Sequence, residues 1–208
     1  HAVGMLLAWA RGLVCFDAQV KAGRWEPASA RLRRVRDLTC GIIGLGRTGR
    51  RTAEKLQGFG VRLLGHARSA GTGIAGLETT TLEDLLSRSD AVIVHVPLTG
   101  QTRHLLDRER LALMKPGAFL VNVSRGGVID SQALVDALDS GRLAGAALDV
   151  LEDEPRVPPG LLRPNVILTP HIAFSSDASL RDLRRKASEE VVRVLRGEQP
   201  RQARNEPR

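Results

Sequence analysis

Residues 44–49, Gly-Leu-Gly-Arg-Thr-Gly, constrain the fold of this chain more than any other stretch. They follow a short apolar run, Leu38 to Ile43, and lead into a helical pattern from Thr48 to Phe59. A GxGxxG is informative only in that strand–turn–helix context. There Gly44 permits a tight turn, Gly46 lets the backbone approach a pyrophosphate, and Gly49 lets the helix lie close to the sheet. The start of such a helix offers unpaired N–H groups and the positive end of its dipole to phosphate. The loop therefore points to a dinucleotide.

The remaining sequence alternates in the same way. Val61 to Gly65 reads as a strand, and Thr81-Leu82-Glu83-Asp84 as a capping box opening a short helix. Ala91 to Val96 is a strand, and Asp107 to Met114 a helix stopped by Pro116-Gly117. Ala118 to Val123, Ala144 to Val150 and Val166 to Thr169 are further strands. Between the first two of these, a helix capped by Asp130 or Ser131 runs to Ser140. Ser175 to Leu195 is a long amphipathic helix. Six buried strands alternating with helices predict an α/β fold with a doubly wound parallel sheet. Ahead of them, Val3, Leu6, Leu7, Ala10, Leu13 and Val14 recur at helical spacing over residues 2–20. Residues 23–36, with Pro27 and several arginines, read as an exposed connector. A dinucleotide-binding domain is expected over 1–174, and a C-terminal helix and tail over 175–208. The chain opens at His1 in the middle of a helical pattern, so preceding sequence is expected.

The formal charge of +8 raises the question of nucleic acid. The basic residues are scattered, and tyrosine is absent, so no aromatic stacking platform accompanies them. Nucleic acid is therefore not the expected partner. No apolar run approaches the roughly 20 residues that span a bilayer, and the first residues carry no basic leader. A cytoplasmic protein without a membrane partner is expected. Cys15 and Cys40 form neither a CxxC nor a disulfide framework, and both are expected to be buried and inert. His1, His66, His95 and His104 share no ligand spacing, so no metal is assigned.

Ligands of doubly wound sheets bind beyond the carboxyl ends of the strands. Three segments deliver polar groups there: Asn122 to Gly127, Asp149 with Glu152, Asp153 and Glu154, and Thr169-Pro170-His171. An arginine, a carboxylate and a histidine suit hydride transfer to a 2-keto acid. Arg125 can grip the substrate carboxylate and polarise the carbonyl. His171 can give a proton to the new hydroxyl or remove it in reverse. A carboxylate beside the histidine favours the imidazolium and keeps the acid form available near neutral pH.

With these segments in view, the sequence resembles the D-isomer-specific 2-hydroxyacid dehydrogenase family over nearly its whole length. The matching stretches are GIIGLGRTG at 41–49, SDAVIVHVPLTGQTRHLL at 89–106, MKPGAFLVNVSRGGVID at 114–130, GRLAGAALDVLEDEP at 141–155 and NVILTPHIA at 165–173. The ending resembles the branch that includes the C-terminal binding proteins, dehydrogenase-like corepressors that sense dinucleotide. The alternative to an enzyme is therefore a dinucleotide-sensing, corepressor-like interaction protein with little turnover. The resemblance implies that Arg125 is the catalytic arginine and His171 the acid/base. It implies that Glu154 is the partner of the histidine, ahead of Glu152. Gly44, Gly46, Arg47, Thr48 and Gly49 match the pyrophosphate loop, and Val96 and Pro97 the wall around the adenosine. Val123, Ser124 and Asp149 match positions lining the nicotinamide, with Asp149 holding its carboxamide. The implied substrate is a small 2-keto or 2-hydroxy acid. The implied assembly is a homodimer formed through the first helix, 1–18. The N-terminal substrate domain of the family is largely absent from these residues, and the last helix normally returns to it.

One departure bears on the cofactor. The acidic residue expected after the second strand, which would hold the ribose 2′-hydroxyl of NAD, is replaced by Ala67. With Arg68 beside it, and Arg62 or Arg47 as further candidates, the sequence leans slightly towards NADP over NAD.

Overall fold

Strands that are apolar at every position can be buried on both faces, and here they are. The computed structural model describes residues 1–28, 32–67 and 73–201. It contains β1 (Thr39–Ile43), β2 (Arg62–His66), β3 (Leu77–Thr79), β4 (Ala91–Val94), β5 (Ala118–Asn122), β6 (Leu143–Leu148) and β7 (Val166–Leu168). The helices are α1 (Ala2–Ala10), α2 (Leu13–Lys21), α3 (Arg47–Gln57), α4 (Leu82–Arg88), α5 (Arg108–Leu113), α6 (Ser131–Asp139) and α7 (Asp177–Leu195). The strands form one sheet in the order β3-β2-β1-β4-β5-β6-β7, and every pairing is parallel. The order reverses between β1 and β4, the switch point at which doubly wound sheets open a crevice.

The period-two alternation of side chains divides the core between the two faces. Ile43, Val92, Val94, Leu120 and Leu148 pack with Leu82, Leu85 and Leu86 of α4 and Leu134 and Leu138 of α6. Cys40, Ile42, Ile93, Phe119 and Val121 pack with Met5 and Leu6 of α1 and with Ala53 and Leu56 of α3. Trp9 stacks on Phe119 with centroids 4.4 Å apart, and the Arg33 guanidinium lies 4.2 Å from the Trp9 ring. Threonine and aspartate side chains start three helices: Thr81 accepts from Asp84 N, Asp107 from Arg110 N, and Asp130 from Ala133 N.

Several expectations are corrected. The opening segment is two helices, not one. Gly12 takes a left-handed φ of +62° and breaks the helix between α1 and α2. Leu6 is fully covered by its own sheet, whereas Leu13 is 58% exposed. The sheet has a seventh strand, β3, an edge strand with one apolar residue and therefore no periodicity to reveal it. Cys40 is buried, and burial pushes its thiol up to about 12. Cys15 is only half-buried, because it lies beyond the break, where Gln19 Nε2 approaches its sulfur.

The chain divides into two units, His1–His171 and Ile172–Arg208; the sequence reading sets this boundary after residue 174. In the second unit α7 is started by a capping box between Ser176 and Ser179 and buries none of its residues. Among the described residues no single helix is long and apolar enough to cross a membrane.

Candidate active site

The glycine loop leaves β1 at Gly44, where φ is +96°. A Cβ at this position would lie 2.8–2.9 Å from Val96 and the His95 carbonyl carbon, so the loop touches the residues that follow β4. At Gly49 a Cβ would meet Gly44 O at 1.9 Å, and only hydrogen fits there. Gly46 differs: a Cβ would touch nothing within 4 Å, and its side faces open space. Gly46 caps α3 without any side-chain acceptor for the first N–H groups. Arg47 and Thr48 are exposed beside it. These features fit a bound pyrophosphate, which would take the open side of Gly46 and the unpaired amides. Beneath the loop, burial pushes His95 down to about 4, so it is neutral. Its Nε2 lies 2.9 Å from Thr52 Oγ1.

Ala67 follows β2 directly, half-buried, and offers no side-chain acceptor to a ribose. Arg68 lies outside the described residues. Arg62 does not belong to this end: it opens β2, four residues from His66, and its guanidinium pairs with Glu78 at 3.0 Å. Val96 and Pro97 follow β4 beside the glycine loop.

At the carboxyl ends of β6 and β7 a cavity of about 290 Å³ is lined by Leu148, Asp149, Glu154, Thr169 and His171, among others. His171 Nδ1 lies 2.8 Å from Glu154 Oε2. A carboxylate only accepts, so the imidazole N–H donates. The other oxygen of Glu154 accepts from Leu151 N at 2.9 Å, which fixes the carboxylate in its loop. Burial acts to raise the Glu154 pKa, but the His171 and Leu151 hydrogen bonds outweigh it and hold the carboxyl below its ordinary value. His171 has a positive φ of +55° and donates its backbone N–H to Asp149 O at 2.8 Å. A non-glycine residue keeps such a conformation where its surroundings over-determine it, often at functional sites.

Asp149 is buried, and its carboxylate accepts from Thr169 Oγ1. His1 Nε2 approaches that hydroxyl at 3.0 Å and Asp149 Oδ1 at 3.5 Å. In the sequence Thr169 has a place among the polar groups at the strand ends but no role, and His1 has neither. Thr169 stands next to the recognisable Pro170-His171, but nothing in the sequence links His1 to a residue 168 positions away. Glu152 is not with His171; it accepts from His104 Nε2 at 2.7 Å. Val123 and Ser124 follow β5, and the buried Asn122 accepts from the Ser124 N–H and hydroxyl. Arg125 is exposed, donates to Ser124 O at 2.7 Å, and does not line the cavity. Among the described residues no group of three His, Cys, Asp or Glu could hold a metal ion.

A parallel sheet reversed at β1 and β4, with a phosphate-ready glycine loop at the switch, defines a dinucleotide-binding domain. The comparisons carry this further. Residues 3–173 match the family model described as D-isomer specific 2-hydroxyacid dehydrogenase, NAD binding domain. The chain is 40% identical over 208 residues to the glyoxylate reductase of Thermofilum pendens, covering 95% of this chain and 61% of that one. It is 38% identical over 201 residues to the D-3-phosphoglycerate dehydrogenase of Methanocaldococcus jannaschii, covering 94% and 38% respectively. The D-lactate dehydrogenase of Aquifex aeolicus, solved with NAD and lactic acid, superposes with a TM-score of 0.89 at 32% identity. That match covers 95% of this chain and 66% of the other. The chain therefore belongs to the D-isomer-specific 2-hydroxyacid dehydrogenase family and contains its NAD-binding domain. The corepressor-like alternative gains nothing from these relatives, whose names are those of enzymes.

Proposed function

We propose that the protein to which these residues belong reduces a small 2-keto acid to a D-2-hydroxy acid, and catalyses the reverse reaction. The His171–Glu154 pair in the cavity beyond β6 and β7 carries this reading. The names of the relatives favour a small substrate such as glyoxylate. When bound, the nicotinamide supplies or accepts the hydride. The residues of this chain do the remaining work. Gly44, Gly46, Arg47, Thr48 and Gly49 hold the pyrophosphate, and Val96 and Pro97 flank the adenosine. Val123, Ser124 and Asp149 orient the nicotinamide, with Asp149 accepting from its carboxamide. Arg125 turns from the Ser124 carbonyl to the substrate carboxylate and polarises the keto group. His171, anchored through Nδ1, passes the proton at Nε2. Turnover of the full-length protein with glyoxylate, pyruvate and hydroxypyruvate tests the reading. No oxidation of either NADH or NADPH with any 2-keto acid would sink it.

The cofactor preference rests on Ala67. Without a carboxylate there, NAD loses its ribose anchor and NADP meets no repulsion. NADPH is expected to bind at least as tightly as NADH. Ala67→Asp should move the ratio towards NADH by roughly tenfold or more, the equivalent of one charge-assisted hydrogen bond. Titration of both reduced cofactors checks this, and an unchanged ratio in the variant would remove residue 67 from the discrimination.

The partner proposed for the α1–α2 segment is a second copy of this chain. Leu13, Val14, Val20 and the 82% exposed Trp25 project apolar surface. Beside them an apolar groove of about 440 Å³ is lined by Trp9, Val14, Cys15, Phe119 and Ile167, among others. A projecting apolar segment next to an apolar groove is the self-complementary arrangement a two-fold dimer uses. Sedimentation of the full-length protein at micromolar concentration should give a dimer. Trp25→Ser should raise its dissociation constant by roughly tenfold or more, since buried tryptophans dominate such interfaces. A monomeric wild-type protein would rule the dimer out.

A further inference from the structure

Glu152 is the carboxylate that the proposed reaction does not use, yet its side chain is the more enclosed, 19% exposed against 36% for Glu154. It accepts from His104 Nε2 at 2.7 Å, Arg103 Nη2 at 3.0 Å and Ser131 Oγ at 3.2 Å. Those donors come from the β4–α5 loop and the first residue of α6, while Glu152 follows β6. The loop that carries Arg125 runs between these segments and is fixed from each side. A Cβ at Gly126 would lie 1.9 Å from the Leu151 carbonyl and 2.3 Å from Glu152 N, so the two backbones touch. Gly127 O accepts from His104 N at 2.8 Å, and Val128 O from Leu106 N at 3.0 Å. Asn122 Nδ2 donates to Arg125 O at 3.0 Å.

His104 itself has a φ of +49°, uncommon for a residue other than glycine. Such a conformation needs specific support, and the hydrogen bond to Glu152 supplies it. Burial works to raise the Glu152 pKa, but the hydrogen bond and charge of His104 prevail and hold it below the ordinary value. The carboxylate is therefore charged throughout the neutral range. A charged group held this firmly, at the meeting point of three loops around Arg125, does more than fill space.

We propose that Glu152 is a positioning residue: with His104 it clamps the loop between β5 and α6, and so sets where Arg125 presents its guanidinium to the substrate carboxylate. The inference rests on the role proposed above for Arg125. A misplacement of about 1 Å in a substrate-gripping group can cost up to roughly 100-fold in rate.

The test uses two variants of the full-length protein that open the clamp from opposite sides. Glu152→Gln removes the charge. His104→Gly removes the imidazole while relieving the positive φ, so it keeps the test sound if the first variant folds poorly. Each should raise KM for glyoxylate by roughly tenfold and lower kcat, with NADH affinity within about twofold of wild type. In an Arg125→Ala background, Glu152→Gln should change kcat/KM less than about twofold, because residues acting as a unit are non-additive. Independently of turnover, the Val128 and Ile129 amides, which bond Arg125 O and Gly126 O, should exchange hydrogen faster in both variants. Unchanged exchange at those amides, or full additivity with Arg125→Ala, would overturn the proposal. A wild-type protein without any turnover would sink the reaction proposed above, while hydrogen exchange would still decide the clamp.

Discussion

Replacing His171 by alanine is expected to lower kcat for 2-keto acid reduction by roughly 100-fold or more, with cofactor affinity nearly unchanged. The size follows from the loss of a positioned acid, whose contribution is typically 100- to 10,000-fold. The selectivity follows from geometry, since His171 stands at the cavity beyond β6 and β7 while the glycine loop follows β1. Glu154→Gln should have a smaller and different effect. The carboxylate is held below its ordinary pKa by His171 and Leu151 N–H, so it is charged across the neutral range and the pair fails only as pH falls into the acid range. In reduction the histidine must be protonated, and a neighbouring negative charge favours that state. Glutamine removes the charge but keeps the shape, so the basic limb of the reduction profile should move to lower pH. A profile of kcat/KM against pH measures this. An unmoved limb would take Glu154 out of the role, and a His171→Ala enzyme with more than half of wild-type kcat would take His171 out of it.

Most of this arrangement is legible in the residues, for specific physical reasons. β1, β4, β5 and β6 are buried on both faces, so their sequences are uninterrupted apolar runs that stand out without alignment. Glu154 and Pro155 follow the end of β6, which such a run locates, and His171 follows the short apolar β7, Val166–Leu168. The unreadable parts lack such a signature. β3 contributes Leu77-Glu78-Thr79 at an edge, where one covered side chain suffices. Gly12 breaks the helix but leaves the apolar spacing in the sequence looking continuous, because residues on both sides are apolar for different reasons: Leu6 faces the sheet, and Leu13 faces outwards. Arg62 is close to Ala67 in sequence, but an extended strand carries it roughly 13 Å from the strand's far end. The approach of His1 to Thr169 is a contact made by the fold, and no local pattern encodes it.

The glycine loop offers the second large effect, because its glycines are needed for different reasons and can be separated. Gly49→Ala places a methyl group 1.9 Å from Gly44 O, about 1 Å nearer than real contacts allow. The obstacle is backbone, so it cannot rotate away, and the start of α3 must move off β1. Stability should fall by about 1–3 kcal/mol, the usual cost of overpacking, and cofactor affinity should fall with it as the α3 amides leave their places. Gly46→Ala is the informative contrast. Its Cβ meets no protein atom within 4 Å, and its φ of −72° suits alanine. The free protein should therefore melt within a degree or two of wild type. If the pyrophosphate lies against the open side of residue 46, the same methyl group stands where the phosphate oxygens must approach. NADH affinity should then drop by roughly tenfold or more, about 1.4 kcal/mol at the least. Thermal melts with and without cofactor read both quantities at once. A ligand that binds only the folded state stabilises it by RT ln(1 + L/Kd), where L is the free ligand concentration, and raises Tm accordingly. A Gly46→Ala protein that keeps both its melting temperature and its full cofactor-induced shift would mean that the pyrophosphate does not rest on this loop.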